Sequence, residues 1–178
     1  MRFVTQSESE PFFLKLGISR SGLVPGSHSA IRLKTFDAYY QSRLSVAAQV
    51  ADALATHQGN FTACLLWAHD LVWGDRSLEE RPPSDWAEYR RWRQTRGEKR
   101  SLRDAPGHFF DNGERDTLAS VIEWAIHMGW DTLIAAKPNK AAIHLSHDDR
   151  ITIYARSRPS ELIARLTALG LKPTQRSL

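Results

Sequence analysis

Between Asp111 and Leu171 the spacing of apolar positions changes from helical to alternating and back, and each change marks an element. From Asp116 to Met128, Leu118, Val121, Ile122, Ala125 and Met128 recur at intervals of three and four. Asp116, Ser120, Glu123 and His127 fall mostly on the other side, which predicts an amphipathic helix stopped by Gly129. Three short runs follow, Thr132 to Ala136, Ala141 to Leu145 and Ile151 to Ala155, separated by Pro138 and Asn139 and then by Ser146 to Arg150, a pattern that predicts a β-meander. If residue 134 pairs with 143, and 143 with 153, then Ile134, Ile143, Leu145, Ile151 and Ile153 share one face. A slip of one residue would turn Ile143 and Leu145 into water, so this register is strongly preferred. The last helix is expected from about Pro159 to Leu169, burying Leu162, Ile163, Leu166 and Leu169, with Gly170 as its stop and Leu171 packing back.

The first half carries a weaker pattern. Phe12 to Ile18 and Ala30 to Lys34 read as strands on either side of a Gly-, Pro- and Ser-rich loop from Arg20 to Ser29. Thr35 is placed to cap a long helix with Phe36, Tyr40, Leu44, Ala47, Ala51 and Leu54 inward, ending near Gly59. Phe61 to Trp73 fits both periods, and Gly59 and Asn60 at its start favour a strand from Phe61 to Trp67, leaving Ala68 to Pro83 as a loop. Ser84 then begins a helix reaching about Thr95, followed by a polar connection from Gly97 to Gly107. The tail from Lys172 to Leu178 has little to bury.

The expected class is α+β. A short antiparallel β-meander covered by helices forms an α-β-β-β-α unit over residues 105–178. It joins an N-terminal β-β-α-β subdomain over residues 1–104, with a basic aromatic helix near 84–96, either as two subdomains or as one continuous domain. With 178 residues, 42% hydrophobic and 25% charged, the chain can bury a sizeable core without staples. Its one cysteine, Cys64, sits in an apolar run and reads as a buried, inert thiol. No secretory pattern and no spanning apolar run is present, so a cytoplasmic, non-membrane protein is expected.

Charge adds one local feature to this picture. From Asp85 to Arg103 there are seven basic residues against three acidic ones, an excess equal to the +4 of the whole chain. Trp86, Tyr89, Arg90, Trp92, Arg93 and Arg96 interleave aromatics with arginines there, a combination suited to anchoring an acidic protein surface or to stacking on bases beside phosphates. Asp85, Glu88 and Glu98 dilute the field, which favours an unidentified protein partner over nucleic acid. The competing explanation is that the aromatics dock the helix on the body and the arginines are its solvated face. Self-association through exposed tryptophans is a secondary expectation.

A second feature is a group of imidazoles and carboxylates. His144, His147 and Asp148 lie close together in sequence, and His69 and Asp70 are adjacent, so these five define a possible ligand patch. On the meander, His144 faces away from the helices, opposite Thr152 and beside Tyr154. His147 and Asp148 are turn residues of a type that turns favour for local reasons. His108 and Asp111 flank Phe109 and Phe110, with the aromatics expected to anchor a linker and the polar pair to be solvated. Phosphate-loop, dinucleotide, nucleophile-elbow, zinc-protease and paired C-x-x-C motifs are absent, so no metal site and no cofactor is predicted. The leading expectation is a small interaction or regulatory module that binds a protein partner through residues 86–103. The alternatives are nucleic-acid binding through the same segment, and a hydrolase-type or metal-dependent enzyme using the clustered His and Asp residues.

Overall fold

A computed structural model describes residues 1–24, 34–39, 46–70, 84–138 and 141–175. In chain order the strands are β1 (Arg2–Val4), β2 (Ile18–Ser19), β3 (Gly22–Leu23), β4 (Lys34–Tyr39), β5 (Ala63–Asp70), β6 (Gly107–Asp111), β7 (Asp131–Lys137), β8 (Ala142–Ser146), β9 (Arg150–Ala155) and β10 (Lys172–Gln175). The helices are α1 (Gln6–Leu14), α2 (Ala47–His57), α3 (Ser84–Thr95), α4 (Arg115–His127) and α5 (Ser160–Ala168). Eight strands form one antiparallel sheet in the order β1-β6-β5-β7-β8-β9-β4-β10, while β2 and β3 pair separately. Strands from both sides of the 97–107 connection share that sheet, β5 lying between β6 and β7. The protein is α+β. Among the described residues no helix is long and apolar enough to cross a membrane.

The α-β-β-β-α unit forms as the alternation requires. Ile134 pairs with Ile143 and Ile143 with Ile153, and Leu145 lies opposite Ile151. All five pack in one core with Leu54 of α2, Leu118 and Ile122 of α4, and Leu162 and Leu166 of α5. Gly129 ends α4 in the left-handed region at φ 61°, where a side chain would be strained.

Four expectations for the rest of the chain are corrected. Phe12 and Phe13 belong to a helix, not a strand. The carboxylate of Glu8 accepts from the backbone N–H of Thr5 at 2.7 Å and from its hydroxyl at 2.9 Å, so a polar clasp starts α1 before the apolar run begins. Residues 34–39 are strand rather than the start of a long helix, since the even positions of β4 meet Ile153 and Ile151 across its ladder with β9. Helix α2 starts only at Ala47, and it buries Ala47, Ala51 and Leu54 as expected. Tyr40, Leu44 and the 30–33 part of the expected strand lie outside the described residues.

The other two corrections concern residues 107–111 and the tail. Residues 107–111 form β6, inserted between β1 and β5, where they had been expected to be linker. Residues 172–175 are not idle, because β10 pairs with β4 and closes that edge of the sheet. Both were hidden by the same circumstance: a four- or five-residue strand gains its stability from neighbours that are distant in sequence. The strand expected from Phe61 to Trp67 is present as β5 and runs on through His69 and Asp70.

The junction of β1, α1 and β6 imposes one local demand. A Cβ placed on Gly107 would collide with the side chains of Val4 and Ser9, and both are buried. Gly107→Ala is therefore expected to lower stability by about 1–3 kcal/mol, as overpacking does in a filled core. The urea midpoint reads this directly, and an unchanged midpoint would show that the close approach imposes nothing.

Candidate functional site

The two faces of the sheet are unlike. The face away from α2, α4 and α5 holds a smaller apolar group of Val4, Leu65, Trp67, Leu133, Ala135, Ala142 and Tyr154, on which Phe13 of α1 and Ile18 of β2 pack. Phe13 stacks on Trp67 with ring centroids 5.8 Å apart, and the Arg20 guanidinium lies over the Trp67 ring at 5.0 Å. Moving across β5, β7, β8, β9 and β4 from Trp67, the register runs through Leu133, His144, Thr152 and Asp37, so this face turns from apolar to polar.

His69 sits beside a register shift between Ala68 and Asp70. Its Nε2 lies 3.4 Å from Nε2 of His144, with ring centroids 5.3 Å apart and planes inclined by 30°. Asp131, at the start of β7, reaches the neighbouring turn. One of its oxygens accepts the backbone N–H of His147 at 2.8 Å, and the other lies 3.0 Å from Nδ1 of the same residue. Asp148 Oδ1 is 3.3 Å from Nε2 of His147, which places a carboxylate at each nitrogen of that ring. Further along the row, the Thr152 hydroxyl donates to buried Asp37 at 2.6 Å.

Burial lowers the pKa of His69 to about 4, the neighbouring His144 and Arg20 act in the same direction, and Asp131 opposes them. Burial also lowers His144, where Asp131 and Asp37 oppose it and Arg150 and His147 reinforce it. Several donors on this face are buried without a hydrogen-bond partner among the described residues: Nε and Nη2 of Arg20, Nε of Arg150 and the Trp67 indole N–H. Such donors are rare in folded proteins because each loses its hydration uncompensated.

Of the possible ligand patch, the structure brings His69 to His144, and joins His147 directly to Asp148 with Asp131 on the other ring nitrogen. Asp70 is exposed at the end of β5. Thr152 lies on the same face opposite His144, as the meander register predicts, and Arg20, Asp37, Asp131 and Arg150 join it there. Arg150 shares the parity of Thr152 along β9, so alternation alone places it on that face. Asp37 was hidden by the helical assignment of its segment. Asp131 and Arg20 have no sequence signal, since only pairing across the sheet brings them near. Among the described residues no group of three His, Cys, Asp or Glu side chains is arranged to hold a metal ion.

The basic aromatic helix is partly interior. Trp86, Tyr89 and Arg93 are buried, Trp92 is partly so, and Arg90, Arg91 and Arg96 are exposed. Tyr89 packs against both Trp124 and Trp130, and Arg96 lies over the Trp92 ring at 4.4 Å. Arg93 donates to the Tyr89 hydroxyl at 2.9 Å and to the carbonyls of Ala105, Arg100 and Ser101 at 3.1 to 3.2 Å, tying the 97–106 connection to α3. A cavity of about 270 Å³ lies beside these groups, lined among others by Trp86, Arg90, Glu98 and Arg100. The Arg100 guanidinium hydrogen-bonds the Glu98 carboxylate, which is held down at about 2 chiefly for that reason.

His108 is a further correction, since it was expected in solvent and is fully buried in β6, whereas Asp111 is exposed. The Tyr89 hydroxyl, which accepts from Arg93, also hydrogen-bonds His108 Nε2 at 2.7 Å, while His108 Nδ1 is buried with no hydrogen-bond partner among the described residues. Burial, reinforced by the Arg93 cation, lowers this imidazole to about 3. Cys64 is a buried free thiol, pushed upward by the same loss of hydration.

No protein-family model matches the chain, and neither the curated proteins nor the solved structures contain a match.

The buried imidazoles generate a pH dependence with a definite sign. An unfolded His108 titrates near 6.5 and the folded one near 3, so between those values the unfolded state binds the extra proton. Its contribution to stability is therefore complete above the unfolded value and is lost as pH falls through the window. His108→Gln keeps a hydrogen-bonding side chain beside Tyr89 and removes the titration. Between pH 6 and 4 the variant is expected to lose stability less steeply than wild type, by up to about 1.4 kcal/mol per pH unit. Parallel urea-midpoint profiles for the two proteins would contradict this.

Proposed function

We propose that the chain is a hydrolase-type protein acting on a small anionic ligand at the polar end of the sheet face opposite the helices. The observation that carries this reading is convergence: His69 and His144 meet at 3.4 Å on the face that also holds the unpartnered donors of Arg20, Arg150 and Trp67. Donors without acceptors favour an oxygen-rich, negatively charged ligand, and paired imidazoles are suited to moving a proton to or from it. The Asp131 carboxylate orients His147 from the β8–β9 turn and acts electrostatically on both His69 and His144. A panel of chromogenic phosphoesters and carboxylic esters tests the reading. Turnover is expected to fall at least about 100-fold in His69→Ala and His144→Ala. Absence of turnover across the panel, or turnover indifferent to both substitutions, would remove this function.

A second reading rests on the exposed part of α3. Arg90, Arg91 and Arg96 project from it, with Trp92 partly open beneath Arg96, which supports docking of an acidic protein surface. The double variant Arg90→Glu, Arg96→Glu leaves the buried Arg93 bonds in place. It is expected to lose by at least about 10-fold the affinity for a partner captured by the wild-type chain. If a folded double variant retains the same partner, the reading fails. If binding instead proves to be to oligonucleotides and weakens steeply with salt, the ligand is a nucleic acid.

A further inference from the structure

We propose that the cleft between α1 and the apolar end of the sheet binds a free medium-chain fatty acid, with the hydrocarbon tail inside and the carboxylate at the mouth. The site shares a sheet face with His69 and His144 but does not depend on the function given to them. A cavity of about 250 Å³ opens there, walled by β1, α1, β5, β6 and the end of β7. Its base follows from the strand register. Arg2 pairs with Phe109 and Phe109 with Leu65, and residues opposed in this way project to one side of a sheet. Phe12 of α1 and Leu16 beyond its end supply the other wall. Val4 and Leu65 are buried, whereas Phe12, Leu16 and Phe109 are only partly so, which leaves apolar surface lining the opening. Covering that surface with a hydrocarbon removes it from water.

Charge selects the head group. Arg2, Lys15 and Lys137 line the cavity, and among the described residues Glu8 is the carboxylate that accompanies them. Glu8 is engaged at the start of α1, where one oxygen accepts the backbone N–H and the hydroxyl of Thr5, and its other oxygen stands 4.0 Å from Arg2. The Arg2 guanidinium lies over the Phe109 ring at 4.5 Å, and the Lys137 ammonium over the Phe12 ring at 5.1 Å. The same two rings therefore offer carbon surface to a tail and carry a cation for its head. Arg2 and Lys137 are exposed, so a carboxylate beside them keeps part of its hydration and no charge has to be buried.

Size limits the tail. If each non-hydrogen atom with its hydrogens takes roughly the 30 Å³ that a water molecule occupies in the liquid, the cavity admits on the order of eight such atoms. That suits the chain of octanoate and is too little for the two acyl chains of a membrane lipid.

Titration of the full-length protein with octanoate, followed by calorimetry and by methyl ¹H–¹³C spectra, tests the inference. Saturable binding of one octanoate per chain is expected, with the methyl resonances of Val4, Leu16 and Leu65 shifting together. From butanoate to octanoate the affinity is expected to rise roughly threefold per added methylene, and to level off for longer acids once the cavity is full. Octyltrimethylammonium, which carries the same tail under the opposite charge, is expected to bind at least about 10-fold more weakly. The double variant Arg2→Glu, Lys137→Glu is expected to weaken octanoate by a similar factor, and Leu16→Trp, in a chain with an unchanged far-UV spectrum, to block it by filling the cavity. His69→Ala is expected to leave octanoate binding as it is, so this site and the proposed hydrolase site can fail separately. Unshifted methyl resonances at those three residues, or equal binding of the cationic and anionic amphiphiles, would overturn the proposal. Binding to anionic phospholipid vesicles without binding of free octanoate would also overturn it and make the patch a membrane contact.

Discussion

The row Ile134, Ile143 and Ile153 across β7, β8 and β9 is the constraint on which the rest of the molecule depends. These side chains lie under α2, α4 and α5, and strand geometry then sends every neighbouring residue to the other face. His144 and Thr152 stand on that face because Ile143, Leu145, Ile151 and Ile153 do not. The hydrophobic term fixes the polar site indirectly, since moving four buried aliphatic side chains into water would cost about 1.5–3 kcal/mol each. A contact such as the one between His69 and His144 is too weak to set a register by itself, but it can occur once the register is set.

The basic segment shows how burial divides a sequence feature into two physical roles. Seven positive charges against three negative ones between Asp85 and Arg103 read as one electropositive surface. Folding takes Arg93 out of that surface and gives its guanidinium three carbonyls and a hydroxyl. Arginine suits this position because its planar fork serves several acceptors at once, which a lysine could not reproduce. Its cation adds to the burial that lowers the His108 pKa, so the Arg93–Tyr89–His108 chain is a set of hydrogen bonds ending on a neutral imidazole. Arg90, Arg91 and Arg96 remain outside and keep the charge.

The sheet face that holds His144 combines an apolar end with a polar one. At the first, Phe13 and Ile18 close over Trp67, Leu65 and Ala142. At the second, His69, Asp131, His147, Thr152 and Asp37 come from four different strands and a turn. Buried donors on Arg20, Arg150 and Trp67 lie on this same side of the sheet. A polar group that loses water without gaining a partner is a cost to folding, and its retention here fits a site that is completed by something bound.

The sequence by itself determined the elements whose periodicity is long and internally consistent: α4, the three strands of the meander with their register, and α5. It also determined the side of the sheet on which His144 stands, because alternation is a property of the backbone and needs no neighbour. Tertiary structure alone decided that residues 34–39, 107–111 and 172–175 are strands, since short strands acquire their hydrogen bonds from distant partners. It decided which arginines are interior and which imidazoles meet. His69 and His144 are 75 positions apart, and no local pattern encodes their 3.4 Å contact, which arises only because β7 pairs with both β5 and β8.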